Sequence, residues 1–271
     1  MLHRKRHLLF GLVLCSLLAA PVTARQRDTG FLNRVVKVDG IEYRYQVYVP
    51  ADWSKNQKWP VILFLHGAGE RGKDGLFPSE IGIGNAIRRH AERFPCIVVI
   101  PQCRKEGWWT HANMEAQVFT ALDQAVKEFQ GDTQRLYLTG LSMGGYGTWA
   151  FGAKYPGKFA ALVPICGGVR LPPRARERLK LTVPEEPADV YNVTAQKVGK
   201  TPVWVFHGGA DPVVPVTESR ELVAALKAAG AEVRYTEYEG VGHDSWTKAY
   251  DDAELLTWLF SQRLNASANA R

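Results

Sequence analysis

The feature that most constrains the fold is a sharp turn between a strand and a helix at residues 135–156. Residues 135–139 are short and rich in β-formers, whereas apolar residues from Met143 onward recur at helical spacing. The turn between them reads Gly-Leu-Ser-Met-Gly, residues 140–144. Such a turn holds its serine in a strained backbone conformation with the hydroxyl clear of the sheet. We therefore predict Ser142 as a nucleophile, with an incidental serine in a Gly-rich turn as the alternative.

Strands and helices alternate along the rest of the chain. Two alternating runs within residues 34–49 are joined by Asp39-Gly40, which predicts an antiparallel hairpin. Short apolar strands separated by helices follow, and this order predicts an α/β fold with a mostly parallel sheet covered on both faces. The predicted strands are 61–65, 97–100, 136–139, 161–165, 203–206 and 233–238, and the predicted helices are 112–129, 143–154, 217–229 and 245–264.

Candidate site residues come directly after the predicted strands, because ligands of a parallel sheet bind beyond the carboxyl ends of its strands. Ser142, Asp211 and His243 each follow a different strand. A nucleophile, a general base and a carboxylate that orients the imidazole are the groups that acyl transfer needs. We therefore predict a catalytic triad of these three residues. Glu239 and Asp244 are rival acids, but they neighbour His243 in sequence, where a carboxylate seldom orients the ring.

Other readings of the same residues remain open. Asp211 precedes a proline, so it could serve only as a turn former or cap the helix at 217. His66, His207, Asp211 and His243 could converge as metal ligands of a metal-dependent hydrolase. No H-x-x-x-H or C-x-x-C spacing among these residues supports that alternative, so we expect neither a metal nor another cofactor. His66 and His207 are each followed by glycine at a strand end, which favours a histidine bonded to nearby backbone.

Four segments carry a resemblance to a known superfamily: LHGAGERG (65–72), TGLSMGGYGTW (139–149), VFHGGADPVVP (205–215) and GVGHDSW (240–246). They resemble the α/β-hydrolases, and more closely the secreted esterases related to phospholipase/carboxylesterase, feruloyl and acetyl-xylan esterases and polyhydroxybutyrate depolymerases. The resemblance covers residues 34–262 and implies an α/β-hydrolase fold with an N-terminal antiparallel hairpin.

The resemblance also implies a function and two further site positions. It implies a serine esterase whose oxyanion hole uses the backbone N–H groups of Ala68 and Met143. The substrate expected is a small-molecule or polymer-linked ester. A serine peptidase of the prolyl oligopeptidase type is one alternative, although the chain lacks room for that family's propeller gate. A non-catalytic polymer-binding protein on a hydrolase scaffold is the other.

Two loops are candidates for substrate contact. Trp108 and Trp109 lie in a loop that looks exposed, and paired indoles near a pocket suit stacking on sugar or phenolic rings. The alternative is that one of them packs under the helix at 112. Residues 169–200 are an Arg/Pro-rich insertion, for which a small cap over the pocket mouth and an ordinary solvated insertion are equally open.

The N-terminus predicts export. Residues 1–24 combine a basic start, an apolar run too short for a comfortable membrane span, and a small-residue cleavage site, which is the pattern of a secretory signal. Its removal takes away three positive charges and no negative ones, and the formal net charge falls from +7 to +4. We expect a secreted or periplasmic protein with one catalytic domain at residues 25–271, no stable membrane anchor and no nucleic-acid partner.

Three cysteines remain in the exported chain: Cys96, Cys103 and Cys166. Because their number is odd, at least one thiol is free or pairs with another molecule. Cys96 and Cys103 bracket a strand, which holds them too far apart for a bridge. A Cys103–Cys166 bridge is possible, but we expect buried free thiols.

Overall fold

The centre of the fold is a mixed sheet of eight strands, seen in a computed structural model that describes residues 28–171, 177 and 187–264. The strands are β1 (Gly30–Val38), β2 (Ile41–Val49), β3 (Trp59–Leu65), β4 (Ile97–Pro101), β5 (Gly131–Leu141), β6 (Ala161–Ile165), β7 (Val203–Gly208) and β8 (Val233–Tyr238). They lie in the order β1-β2-β4-β3-β5-β6-β7-β8. β2 is antiparallel to both β1 and β4, and all the other neighbours are parallel.

Helices cover both faces of this sheet. They are α1 (Ile83–Arg89), α2 (Ala112–Glu128), α3 (Met143–Lys154), α4 (Val190–Val198), α5 (Thr217–Ala228), α6 (Trp246–Asp251) and α7 (Ala253–Ser261), with short 3₁₀ turns at Ala68–Glu70, Phe77–Glu80 and Ala91–Arg93. No helix within the described ranges is both long and apolar enough to cross a membrane.

The apolar sequence of the central strands follows from their burial on both faces. All seven residues of β3 are buried. Val61, Leu63 and Leu65 belong to a core cluster that also contains residues of α2, α3, α4 and α5. Ile62 and Phe64 point the other way, into a second cluster with residues of α1, α6 and α7. A strand covered on both sides gains from apolar residues at every position, which is why β3 shows no polar alternation.

Most predicted elements are observed. The hairpin turns at Asp39 and Gly40, whose φ angles of 50° and 78° suit the tight turn that the pair predicts. Each predicted strand coincides with an observed one, although β5 begins earlier, at Gly131. The short helices α1 and α4 were not predicted. The predicted signal peptide at 1–24 lies outside the described residues, and so do residues 172–176 and 178–186 of the predicted insertion.

The predicted single helix over residues 245–264 is wrong. α6 ends at Asp251 and α7 begins at Ala253. Between them Asp252 adopts φ −58° and ψ 124°, and its carboxylate accepts a hydrogen bond from the Glu254 amide. Aspartate is a preferred N-cap because its side chain satisfies an amide that the new helix leaves unpaired. Asp252 therefore ends one helix and starts the next.

The three cysteines described are free and buried, as expected. Cys103 and Cys166 are therefore not bridged. Burial raises the pKa of the Cys103 thiol to about 12, so this group stays protonated at neutral pH.

The turn between β5 and α3 is tightly packed. Ser142 has φ 53° and ψ −117°, a conformation that residues with a side chain rarely adopt. A Cβ at position 144 would lie 1.8 Å from the Leu65 carbonyl oxygen, and one at position 140 would lie 2.4 Å from the Gly144 oxygen. Glycine is therefore required at both positions for steric reasons.

This contact generates the first prediction. Gly144→Ala places a methyl group against the Leu65 carbonyl oxygen, so the free energy of unfolding is expected to fall by about 3 kcal/mol or more. Gly69→Ala is the matched control, since a Cβ at residue 69 meets no atom within 4 Å. Urea denaturation of the two variants measures the difference. Equal stability of Gly144→Ala and Gly69→Ala would contradict the assigned packing.

Candidate active site

Three side chains from separate loops meet at the carboxyl edge of the sheet. Ser142 follows β5, Asp211 follows β7 and His243 follows β8. His243 Nε2 lies 2.9 Å from Ser142 Oγ, and His243 Nδ1 lies 2.7 Å from Asp211 Oδ2. The carboxylate is fully buried, whereas 19% of the His243 side chain is exposed. The structure thus brings the three predicted triad residues into one chain of hydrogen bonds with its serine end open to solvent.

The hydrogen bonds assign a tautomer to the ring of His243. An ionised carboxylate only accepts hydrogen bonds, so His243 Nδ1–H donates to Asp211. Nε2 then carries a lone pair and accepts from the Ser142 hydroxyl. This is the arrangement in which an imidazole can take the proton of a hydroxyl that attacks as a nucleophile.

The charge of Asp211 is held by several donors. Burial alone would raise its pKa, but hydrogen bonds from His207 and His243 and from the amides of Val214 and Val213 outweigh burial and hold the pKa well below its usual range. Asp211 Oδ1 accepts from the Val213 and Val214 amides at 2.8 and 3.0 Å. Asp211 is therefore ionised at neutral pH.

Two of the alternatives for the acid lose their support. The N-cap of α5 is Val216, with no side-chain cap, so Asp211 does not cap that helix. Asp244 accepts hydrogen bonds from the amide and hydroxyl of Thr247 instead of orienting His243.

His207 is a member of this site for which the sequence analysis favoured bonds to nearby backbone. It is fully buried, and its Nε2 lies 3.1 Å from the Val214 carbonyl oxygen, as predicted. The same atom also lies 3.2 Å from Asp211 Oδ2, and Nδ1 lies 2.7 Å from Ser219 Oγ. The Ser219 hydroxyl donates to Nδ1, so Nε2–H points at the carboxylate. The spacing His-Gly-Gly-Ala-Asp at the end of β7 was the available signal.

The two backbone N–H groups predicted for the oxyanion hole lie beside the serine. Met143 is the first residue of α3, and Ala68 is the first residue of the 3₁₀ turn after β3. Among the described residues neither N–H has an acceptor. A Cβ at position 67 would lie 3.6 Å from the Cβ of Ser142, so this turn contacts the serine. Unpaired amides at the start of a helix favour a negatively charged oxygen.

His66 holds the loop that carries Ala68. Its Nδ1 donates to the Gly67 oxygen at 2.6 Å, and its Nε2 accepts from the Cys103 amide at 2.9 Å. Trp109 Nε1 donates to the His66 carbonyl oxygen at 3.0 Å. Burial lowers the pKa of His66 to about 3, so the ring is neutral. The expectation of a histidine bonded to backbone is confirmed here.

The metal alternative fails at His66, because both of its ring nitrogens are already used by the backbone. Within the described ranges, the three groups that could together hold an ion are Cys166, Asp211 and His243. Neither His66 nor His207 belongs to this group. The geometry therefore does not bring together the four residues of the alternative metal site.

The sequence model of the prolyl oligopeptidase family (peptidase S9) matches residues 109–264 of this chain. The chain belongs to the prolyl oligopeptidase family. The matched segment contains Ser142, Asp211 and His243, together with the strands that carry them.

Curated relatives of this family member include proteins with ester-cleaving names. A putative carboxymethylenebutenolidase of Methylorubrum extorquens is 33% identical over 133 residues, which cover 48% of this chain and 42% of that protein. An uncharacterized secreted protein of Arthroderma benhamiae is 26% identical, over 79% of this chain and 24% of that protein. The bifunctional acetylxylan esterase/xylanase XynS20E of Neocallimastix patriciarum is 28% identical, over 50% of this chain and 20% of that protein. The chain thus spans less than half the length of these relatives.

Solved structures confirm the predicted α/β-hydrolase fold. A thermostable esterase is 35% identical with a TM-score of 0.69, and the match covers 86% of this chain and 63% of that chain. A ferulic acid esterase shares the fold at 20% identity with a TM-score of 0.64, over 86% of this chain and 97% of that chain. The resemblance to α/β-hydrolase esterases is therefore confirmed.

The two tryptophans are not the exposed pair that the sequence predicted. Trp109 is fully buried under α3, and 7% of Trp108 is exposed. The loop folds inward because the Trp109 indole donates to the His66 carbonyl oxygen and packs edge-on against the His66 ring at 4.8 Å. Trp109 therefore has no exposed surface for a substrate, whereas Trp108 lines a cavity of about 240 Å³ together with Tyr146.

The low pKa of His66 generates a prediction about stability and pH. The folded ring has a pKa of about 3, while its ordinary value is 6.5. Below pH 6.5 the unfolded chain binds a proton that the folded chain does not, so stability falls as pH falls from 6.5 toward 3. The expected slope from this residue is about 1.4 kcal/mol per pH unit.

Urea denaturation at about pH 7, 6 and 5 measures this slope. His66→Gln is expected to lower stability at pH 7 but to show a flatter dependence on pH than the wild type. His90→Gln is the control, because it removes a histidine whose side chain is 45% exposed. The same slope in His66→Gln as in the wild type would show that another group causes the acid sensitivity.

Proposed function

We propose that this chain is a secreted serine esterase that hydrolyses carboxylic esters through an acyl-enzyme intermediate. The observation that carries the proposal is the hydrogen-bonded chain from Ser142 through His243 to Asp211, at distances of 2.9 and 2.7 Å. The names of the relatives support ester cleavage, above all the thermostable esterase that is 35% identical.

Each group has one task in this mechanism. His243 Nε2 takes the proton as Ser142 Oγ attacks the ester carbonyl. The carbonyl oxygen becomes an oxyanion, to which the Ala68 and Met143 amides donate. Each such donor contributes about 2.7–4 kcal/mol to lowering the barrier. His243 then gives its proton to the leaving alcohol, and a water molecule repeats the cycle on the acyl-enzyme.

Asp211 stabilises the imidazolium that forms in each step. It keeps the Nδ1–H tautomer of His243 and remains ionised, because four donors hold its charge. His207 contacts the same carboxylate oxygen, Oδ2, as His243 does, and so acts as a positioning residue. Substrate contact is proposed for Trp108 alone of the two tryptophans, since it lines the cavity beside Tyr146.

Export and domain organisation belong to the same proposal. The pattern at residues 1–24 and the secreted relative of Arthroderma benhamiae support secretion. We propose a single catalytic domain at 25–271; the middle of the predicted insertion lies outside the described residues. Glu218 of α5 accepts hydrogen bonds from the Val169 and Arg170 amides and from the Tyr191 hydroxyl, so described residues on both sides of this gap are attached to one buried carboxylate.

Removal of the nucleophile tests the mechanism. Ser142→Ala is expected to reduce hydrolysis of p-nitrophenyl acetate by about 10⁴-fold or more while the thermal transition changes little. Ser142→Gly is the matched control for folding: it is equally inactive and unfolds at no lower temperature, because glycine adopts a φ of 53° without strain. Turnover retained by either variant would falsify the nucleophile assignment.

A serine peptidase is the second candidate, because the family to which the chain belongs is named for a peptidase. The same triad cleaves amides when the site protonates an amine leaving group. A panel of acetyl, butyryl and feruloyl esters and of prolyl peptide amides separates the two. We expect turnover of at least one ester class and none of the peptides. Peptide turnover that exceeds every ester would establish the peptidase instead.

A further inference from the structure

A large cleft lies next to the proposed active site. Its volume is about 1330 Å³, and its walls are the start of β2, residues 69–77 after β3 and residues 104–106 after β4. Tyr45 pairs with Pro101, so the start of β2 extends beyond the carboxyl end of β4. All three walls therefore lie at the edge of the sheet that also carries Ser142.

The cleft begins close to the proposed nucleophile. Gly69 lines it and directly follows Ala68, whose amide faces the oxyanion position in the proposed mechanism. A Cβ at position 67 would lie 3.6 Å from the Cβ of Ser142. Gly69 is two residues further along the chain than Gly67, and two residues span ~7 Å at most. A substrate whose ester sits at Ser142 would therefore reach the cleft within about one or two sugar units.

Five cationic side chains line the cleft, and we call it the basic cleft. They are Arg44, Arg71, Lys73, Arg104 and Lys105. Within the described part of the chain, none of the five forms an ion pair with a carboxylate. Their charges are therefore available to an anion that enters the cleft.

Two of these cations are fixed by the backbone. Arg71 Nε donates to the Ala68 carbonyl oxygen at 3.0 Å. Arg104 donates to the Glu42 carbonyl oxygen, and its guanidinium lies 4.7 Å from the centre of the Tyr43 ring. Both guanidinium groups are thus oriented before any ligand binds, which reduces the entropy lost on binding. Among the residues that the structure describes, Arg44, Lys73 and Lys105 have no such contacts.

The acidic residues of the cleft do not cancel these charges. Glu42, Asp74 and Glu106 also line it, so cations exceed anions by two. Glu42 Oε1 lies 3.3 Å from Lys37 Nζ, outside the cleft. Asp74 accepts hydrogen bonds from the amides of Leu76 and Phe77, which use one of its oxygens. The excess charge in the cleft is therefore positive.

We propose that the basic cleft binds the carboxylates of an acidic polysaccharide, so that the scissile ester is carried on a chain containing uronic-acid residues; this inference rests on the proposed esterase function. Guanidinium groups pair with carboxylates through two parallel hydrogen bonds. The cleft exceeds the ~300–1000 Å³ typical of a site for one small ligand, which fits several sugar units. The ring of Phe77 at its edge is 51% exposed and offers a face for a sugar ring.

The concave shape of the basic cleft favours a polysaccharide over a flat membrane surface as its ligand. The cations come from three separate segments around a cleft, whereas an anionic membrane contacts charges that project from a convex face. A flexible polyanion can follow the cleft from the serine outward. Binding to an anionic membrane is the alternative outcome of the binding experiment below.

Binding of oligosaccharides without an ester tests the proposal directly. Calorimetric titration of the wild-type protein with galacturonic-acid hexamer is expected to show binding at about 20 mM salt and weaker binding at about 150 mM salt, because salt screens exposed charges. The neutral xylose hexamer is expected to bind at least about tenfold more weakly. Arg44→Gln/Lys73→Gln should weaken binding of the acidic hexamer about tenfold.

A double variant elsewhere controls for net charge. Lys197→Gln/Lys227→Gln removes the same charge from exposed positions on α4 and α5, outside the cleft, and should bind the acidic hexamer like the wild type. Equal binding of the two hexamers, or equal effects of the two double variants, would overturn the proposal. Binding to phosphatidylglycerol vesicles without binding to the acidic hexamer would replace it with a membrane surface.

The same variants separate this inference from the proposed function. Titration requires no hydrolysis, so a protein that binds the acidic hexamer but cleaves no ester would contradict the esterase and keep the binding site. A protein that cleaves p-nitrophenyl acetate but binds neither hexamer would keep the esterase and contradict the basic cleft. Where esters are cleaved, the ratio of kcat/KM for acetylated galacturonic-acid and xylose oligomers should fall about tenfold in Arg44→Gln/Lys73→Gln.

Discussion

The rest of the site depends on the close approach of α3 to the ends of β3 and β5. The helix can start where it does only because residues 140 and 144 have no side chain that would strike the backbone. This contact leaves Ser142 with a φ of 53°, held by its amide's hydrogen bond to the Ile165 oxygen and by its own oxygen's bond from the Tyr146 amide. Packing of three elements thus holds a conformation that costs about 1–3 kcal/mol.

Burial of the Asp211 charge is the second constraint, and it is met by neighbours from three elements. An isolated buried carboxylate would neutralise by taking up a proton. Two backbone amides from its own turn, His207 from the end of β7 and His243 from the loop after β8 prevent this. Because the same donors orient the carboxylate, the energy that keeps it charged also fixes the ring of His243. One group of contacts therefore sets both the charge of Asp211 and the orientation of the His243 ring.

Sequence patterns predicted the features that depend on local chemistry. The Gly-Leu-Ser-Met-Gly turn, the Asp39-Gly40 hairpin and the buried strands each follow from residues near one another in the chain. Contacts between distant residues were not predictable in the same way. The burial of Trp109 depends on the His66 carbonyl oxygen, and the bond between His207 and Asp211 depends on how one loop folds back. The basic cleft needs β2 beside β4, an order that no local pattern encodes.

The loop after β3 connects binding to catalysis. Arg71 lines the basic cleft and also donates to the carbonyl oxygen of Ala68, whose amide is assigned to the oxyanion. A carboxylate bound in the cleft would contact the residue that holds this turn in place. Binding energy from a remote part of a substrate raises turnover only when it is used at the reacting centre. Because Arg71 contacts both places, we expect a carboxylate bound in the cleft to affect the position of the Ala68 amide.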